Sequence, residues 1–184
     1  MKYITPYLET KRLYLKRGTK KDYQKVYEDD FTKLRNIAGE FKYEKLGLED
    51  IEEFDTYADE YDNVYDWIIY LKENNLPFGN FTADREVGEL KAIELSFNLH
   101  PDFWKKGYMN ESVTEIIIFL FKQGYENIIC SYSEGNNNSK RINEKIGFKL
   151  FNKEENAWFK NGRPITDCHT ILSKKEFYTR QKIK

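Results

Sequence analysis

Cysteine, histidine and proline are scarce in this chain. Only two cysteines, Cys130 and Cys168, occur in 184 residues, too few for a disulfide framework. Both sit in apolar, strand-like runs, which predicts buried thiols in a reducing cytosol. Two histidines, His100 and His169, are too few for a metal site, so no metal is expected and both read as structural. No apolar run approaches the roughly 18 residues of a membrane span, and no secretory leader pattern is present. A cytoplasmic protein without a membrane partner is the expectation. The formal net charge of −1 argues against a general nucleic-acid binder, which is usually basic. GxGxxG and GxxxxGK[ST] are both absent, as are internal repeats and low-complexity linkers. What is present is 40% hydrophobic residues, 16% of the chain being aromatic. That composition suits one globular domain over residues 1–184 with a sizeable core.

The most informative stretch is Ile93 to Glu111, IELSFNLHPDFWKKGYMNE. Ile93, Leu95, Phe97 and Leu99 alternate with Glu94, Ser96 and Asn98, the period of a strand. Pro101 stops it, having no N–H for a ladder. Trp104, Lys105, Lys106, Gly107 and Tyr108 then lead into an apolar-periodic helix over residues 110–123, carried by Val113, Ile116, Ile117, Leu120 and Phe121 and closed by Gly124. A basic, glycine-containing loop that opens a helix offers unpaired N–H groups and the positive end of the helix dipole. On residues alone it reads either as a phosphate cradle or as a solvated turn.

Elsewhere RLYLKR (12–17) predicts a first strand. Thr19 predicts the N-cap of a helix over 20–29, with Tyr23, Val26 and Tyr27 inward and Asp22 in its first turn. Residues 31–47 carry no clear pattern. Residues 48–66 hold Glu49, Asp50, Glu52, Glu53, Asp55, Asp59, Glu60, Asp62 and Asp66 and no Lys or Arg, with Ile51, Phe54 and Ala58 at helical spacing. This is a solvated acidic face or a field that draws in a cation. Strands follow at 64–71 and 76–84, with a turn near 73–75, a bulge at Gly79 and a hairpin turn at 85–88. Strand 127–132 and a helix over 136–146 closed by Gly147 come next. Strands 148–152 and 167–172 flank a turn at Asn161-Gly162. The order β-α-α-β-β-β-α-β-α-β-β makes a mixed α/β (α+β) domain, neither a TIM barrel nor a doubly wound Rossmann sheet.

FWKKGYMNES and the downstream NNNSKRINEKIGF together resemble the two signatures of the GCN5-related N-acetyltransferase (GNAT) superfamily. The similarity is greatest to the branch of bacterial ribosomal-protein N-terminal and spermidine acetyltransferases, and LETKRLYLKR and NGRPITD extend it over nearly the whole chain. The resemblance implies a mostly antiparallel twisted sheet, splayed at its central strand and flanked by helices. It implies acetyl-coenzyme A as donor and an amine as acceptor. Its pyrophosphate would lie on Lys105, Lys106, Gly107, Tyr108, Met109 and Asn110, next to Trp104. The backbone of Phe97, Asn98 and Leu99 would pair with the pantetheine arm, and Asn136 would touch the cofactor. Lys105 stands where the branch has Gly, and Met109 where it has Ala or Gly; a side chain at either place could crowd the pyrophosphate, or Lys105 could bind it. Asn143 stands where many members have a tyrosine acid, leaving Ser139 as candidate acid or, alternatively, a helix cap.

Transfer needs a neutral amine. At pH 7 deprotonation costs about 1 kcal/mol for an α-amine with a pKa of about 7.7–8, and roughly 4.6 kcal/mol for a Lys-like amine near 10.4. Glu94 is the candidate base, given burial beside aromatics to raise its pKa; the alternative is a solvent-facing strand residue. Backbone N–H groups near Leu99 are the candidate carbonyl polarisers. Cys130 and Cys168 both read as buried packing in strand-like runs, which argues against a covalent route. The acidic run favours a cationic acceptor. A monomer and a homodimer are equally compatible with the sequence. The competing class is a non-catalytic coenzyme A-binding or regulatory module of the same fold.

Overall fold

The computed structural model describes residues 3–27, 64–160 and 162–182. Its elements are β1 (Leu8–Glu9), β2 (Leu13–Lys16), α1 (Lys20–Tyr27), β3 (Tyr65–Leu71), β4 (Pro77–Val87) and β5 (Ala92–Leu99). They continue with α2 (Tyr108–Lys122), β6 (Asn127–Ser133), α3 (Asn137–Ile146), β7 (Lys149–Lys160), β8 (Arg163–Ser173) and α4 (Lys174–Lys182). The strands are hydrogen-bonded in the order β1-β2-β3-β4-β5-β6-β8-β7, the expected mixed α/β class. β5 and β6 pair in parallel. A parallel pair needs a crossover rather than a tight turn, and α2 supplies it. Among the described residues no helix is long and apolar enough to cross a membrane.

Two compact units interleave along the chain: Met1–Asp84 with Phe97–Ile116, and Arg85–Ser96 with Ile117–Lys184. In the first, Leu13 and Leu15 of β2 are fully buried by the alternation of the strand. Thr19 and Asp22 cap α1 reciprocally: the Asp22 N–H donates to Thr19 Oγ1 at 3.4 Å and the Thr19 N–H to Asp22 Oδ2 at 2.8 Å. This satisfies donors that the first helical turn cannot. Tyr23 and Val26 of α1 then pack on Ile68 and Tyr70 of β3. The β3–β4 register passes from Ile69↔Gly79 to Tyr70↔Pro77, so Phe78 is bulged. Its ring stacks on Phe103 at 4.3 Å. A Cβ on Gly79 would lie 2.6 Å from the Asn98 carbonyl oxygen, so only glycine allows this approach of β4 to β5.

In the second unit, β5 pairs with β6 at Ala92↔Asn127, Ile93↔Ile128 and Glu94↔Ile129, where that register ends. The β6–β8 ladder runs from Asn127↔Ser173 to Ser133↔Asp167. Phe121 of α2 meets Phe177 of α4 edge to face at 5.6 Å. Ile117, Leu120, Ile128 and Leu172 are fully buried in the same unit.

Several boundaries differ from the sequence expectation. β1 has two residues, too short to show a period. α4 (KKEFYTRQK) is polar on most sides and is anchored chiefly by Phe177. β7 is exposed along most of its length, so no alternation marks its extent, which pairing with β8 decides. The reversal before β5 lies at Gly88–Lys91 rather than at 85–88, with Lys91 at φ 45°. α2 starts at Tyr108, two residues earlier than the periodicity indicates. The acidic run from Glu49 to Asp62, with the helix expected there, lies outside the described residues. Its last member, Asp66, is on β3 and buried, not on a solvated face.

Candidate active site

A 3₁₀ turn at Pro101–Phe103 ends β5. Trp104 locks it, its indole N–H donating to the Leu99 carbonyl at 2.7 Å. The chain then enters the left-handed region at Lys105 (φ 60°) and again at Gly107 (φ 81°) before α2 begins. The left-handed conformation costs a non-glycine residue about 1–2 kcal/mol, which explains why glycine suits position 105 and identifies what Lys105 gives up. Lys105, Lys106 and Gly107 are exposed. Lys106 Nζ lies 5.3 Å from the Phe103 ring centroid. Met109 is 7% exposed, so its side chain fills the interior and does not crowd the loop. The first helical hydrogen bond is Glu111 N–H to the Gly107 carbonyl at 3.1 Å, so the N–H groups of Tyr108, Met109 and Asn110 precede any acceptor within the helix.

Around this loop lies a network that sequence reading missed. Glu111 receives the Thr10 hydroxyl at 2.5 Å, the Arg12 backbone N–H at 2.9 Å and the Arg12 Nε–H at 2.7 Å. Arg12 Nη1 donates to the Lys106 carbonyl at 3.1 Å, and its guanidinium lies 4.3 Å from the Tyr108 ring centroid. Burial pushes the Glu111 carboxyl up, but the Thr10 and Arg12 donors outweigh it and hold the group below the usual glutamate range. These partners stand 99 or more positions apart, and no local periodicity links them.

The Glu94 side chain is 17% exposed and pairs with Arg85, Nε to Oε2 at 3.3 Å. Of the backbone at Phe97, Asn98 and Leu99, the Leu99 carbonyl is taken by Trp104, and the next N–H, of His100, donates to the Phe78 carbonyl at 2.8 Å.

The cap of α3 is Asn136, not Ser139: Asn136 Oδ1 accepts the Ser139 N–H at 3.2 Å. Ser139 is half-buried in the first turn, and among the described residues its hydroxyl makes no hydrogen bond. One turn on, Asn143 is 1% exposed. Its amide donates to Thr170 Oγ1 at 3.0 Å and to the Cys130 carbonyl at 3.4 Å, fastening α3 to β6 and β8. Asn143 Oδ1 has no partner among the described residues. Asn143 is thus a structural bracket between α3 and the sheet. Cys130 and Cys168 are free and buried, and burial pushes the Cys130 thiol up to about 12, which disfavours it as a nucleophile. His169 meets Ser131 at 2.8 Å and Glu154 at 3.3 Å, while His100 Nδ1 accepts the Asp102 N–H at 3.3 Å. No group of metal-ligating side chains is found among the described residues.

A second buried acid sits in the first unit. Asp66 is 7% exposed and accepts the Tyr23 hydroxyl. Its backbone N–H donates to Thr5 Oγ1 at 2.9 Å. Burial raises its carboxyl to about 7, against the opposing pull of Arg17. The signal was an aspartate inside the aromatic strand VYDWIIYL, where both faces are covered.

The chain belongs to the acetyltransferase (GNAT) domain family, whose profile matches residues 12–149. It is 27% identical over 146 residues to the uncharacterized N-acetyltransferase YnaD of Bacillus subtilis (strain 168), covering 78% of this chain and 82% of that protein. Its fold matches the ribosomal-protein-S5-alanine acetyltransferase of Vibrio fischeri with a TM-score of 0.74 at 14% identity, over 94% of this chain and 98% of the other. It also matches a chimera of the spermidine N-acetyltransferase SpeG from Vibrio cholerae and hSSAT, with a TM-score of 0.71 at 14% identity, over 91% and 98%.

Proposed function

We propose that this protein transfers the acetyl group of acetyl-coenzyme A to a primary amine, a cationic one by preference, by direct attack within a ternary complex. The observation that carries this reading is the loop Lys105–Asn110. Its Lys105–Gly107 part is exposed, basic and twice left-handed, it runs directly into the first turn of a helix, and the stretch lies inside the family match. These residues fit a diphosphate: lysine charge and helix N–H groups favour an anion there, and the buried Met109 does not crowd it. Trp104, the backbone of Phe97–Leu99 and Asn136 complete the proposed donor site. Acetyl-coenzyme A supplies the acyl group as a thioester. Glu94, directly or through water, takes the amine proton, and Ser139 Oγ is the proton donor.

The acceptor class rests on the acidic run at Glu49–Asp62 and on the names of the structural neighbours, which act on a ribosomal protein and on spermidine. The two buried free thiols suit a reducing cytoplasm. Asn143, bound into the sheet in place of an acid, favours one other reading: a module that holds coenzyme A without turnover.

Thermal denaturation tests the donor site. At a hundredfold excess over Kd, acetyl-coenzyme A contributes about 2.7 kcal/mol, or roughly 5–10 °C in Tm for a chain of this size. Lys106→Glu should remove more than half of that shift by setting a negative charge beside the diphosphate. Equal shifts in both proteins would show the loop assignment to be wrong. Thiol release over a panel of amines of rising charge then separates enzyme from module: binding without release with any amine favours the module.

A further inference from the structure

We infer that Arg12 is a positioning residue for the donor loop, a role that deepens the proposed function and rests on it for its ligand. Arg12 stands just before β2, remote in sequence from the loop, yet it contacts the loop at two points. Nη1 holds the Lys106 carbonyl at 3.1 Å and the guanidinium covers the Tyr108 ring at 4.3 Å; Nη2 is also near enough that a Cβ added to Gly107 would lie 3.5 Å from it. Glu111 in the first turn of α2 aims the guanidinium through Nε at 2.7 Å. Thr10 orients Glu111 in turn, its hydroxyl donating to Oε1 at 2.5 Å while its Oγ1 accepts the Leu13 N–H at 3.1 Å.

The consequence follows from the planar peptide. No cis bond occurs among the described residues, so the Lys106 carbonyl and the Gly107 N–H of one trans peptide point in opposite directions. Holding the carbonyl toward Arg12 turns the Gly107 N–H away from it. It also removes a carbonyl dipole that would repel an anion at the loop. Arg12 therefore acts on the diphosphate through the backbone, not by touching it. The planar fork is needed because one side chain must serve both a carboxylate and a carbonyl, which an ammonium cannot do with the same geometry.

The test uses the full chain and two readouts. Without ligand, hydrogen exchange at residues 105–110 should speed up at least tenfold in Arg12→Gln, with β6 and β8 unchanged. With coenzyme A as titrant, calorimetry should show Kd raised tenfold or more in Arg12→Gln and by an intermediate factor in Arg12→Lys. Wild-type exchange at the loop together with wild-type Kd in a folded Arg12→Gln overturns the inference. Should Arg12→Gln not fold, Arg12→Lys decides alone: wild-type exchange and Kd overturn the role, and faster loop exchange with a higher Kd supports it. If the wild type itself shows no coenzyme A binding, the proposed function fails, while the loop exchange still reads the positioning role.

Discussion

Asp66→Asn should stabilise the protein increasingly as pH rises from about 4 to 7. Burial holds the folded carboxyl at about 7, opposed by Arg17, whereas an unfolded aspartate titrates near 3.9. The folded state therefore keeps a proton that the unfolded state has already released. Its contribution to stability is complete below about pH 4 and is lost as pH climbs through about 7; above that the loss is constant. The shift corresponds to about 4 kcal/mol, or roughly 8–16 °C in Tm for a chain of this size. Asparagine keeps an acceptor for the Tyr23 hydroxyl and carries no charge to bury. Histidines and other carboxylates titrate equally in both proteins, so they cancel in the difference. The measurement is Tm of wild type and variant from pH 4 to 8. A Tm difference that does not change with pH would sink this account of Asp66.

Ser139→Ala should lower kcat by roughly 10²-fold or more, as loss of a general acid does, with Tm within about 2 °C of wild type. The structure sharpens this expectation by assigning the cap to Asn136, whose side chain accepts the Ser139 N–H. The N–H survives the substitution, so the helix keeps its cap. Asn136→Ala is the control: it should cost about 1 kcal/mol of stability. If Ser139→Ala turns over acceptor at the wild-type rate, the proton donor must be sought elsewhere. Asn143 is not a substitute, since its amide is committed to Thr170 and Cys130.

Features set by short-range physics were legible in the chain. The alternation of Ile93, Leu95, Phe97 and Leu99 and the helical period from Val113 to Phe121 each depend on neighbours within a few residues, and both elements stand where they were expected. Thr19 with Asp22, Gly147 after α3, and the basic loop before α2 are likewise local signals. The two signatures placed the family, which the match over residues 12–149 shows.

The rest was decided by contacts between distant stretches. β7 has no alternation because it is largely exposed, and its twelve residues become a strand by pairing with β8. Asp66 looked like the end of an acidic run, but β3 is covered on both faces and turns that carboxyl into a buried, proton-holding group. The pairing of Arg85 with Glu94 joins two residues on either side of the reversal at Gly88–Lys91. Asn143 departs from a family pattern in the sequence, yet only the approach of β6 and β8 gives its amide two acceptors. The clamp of Thr10 and Arg12 on Glu111 joins residues about a hundred positions apart. Sequence alone specifies periods, caps and turns, since these are energies of adjacent residues. Which charges meet, and which are stripped of water, depends on packing that brings remote residues together.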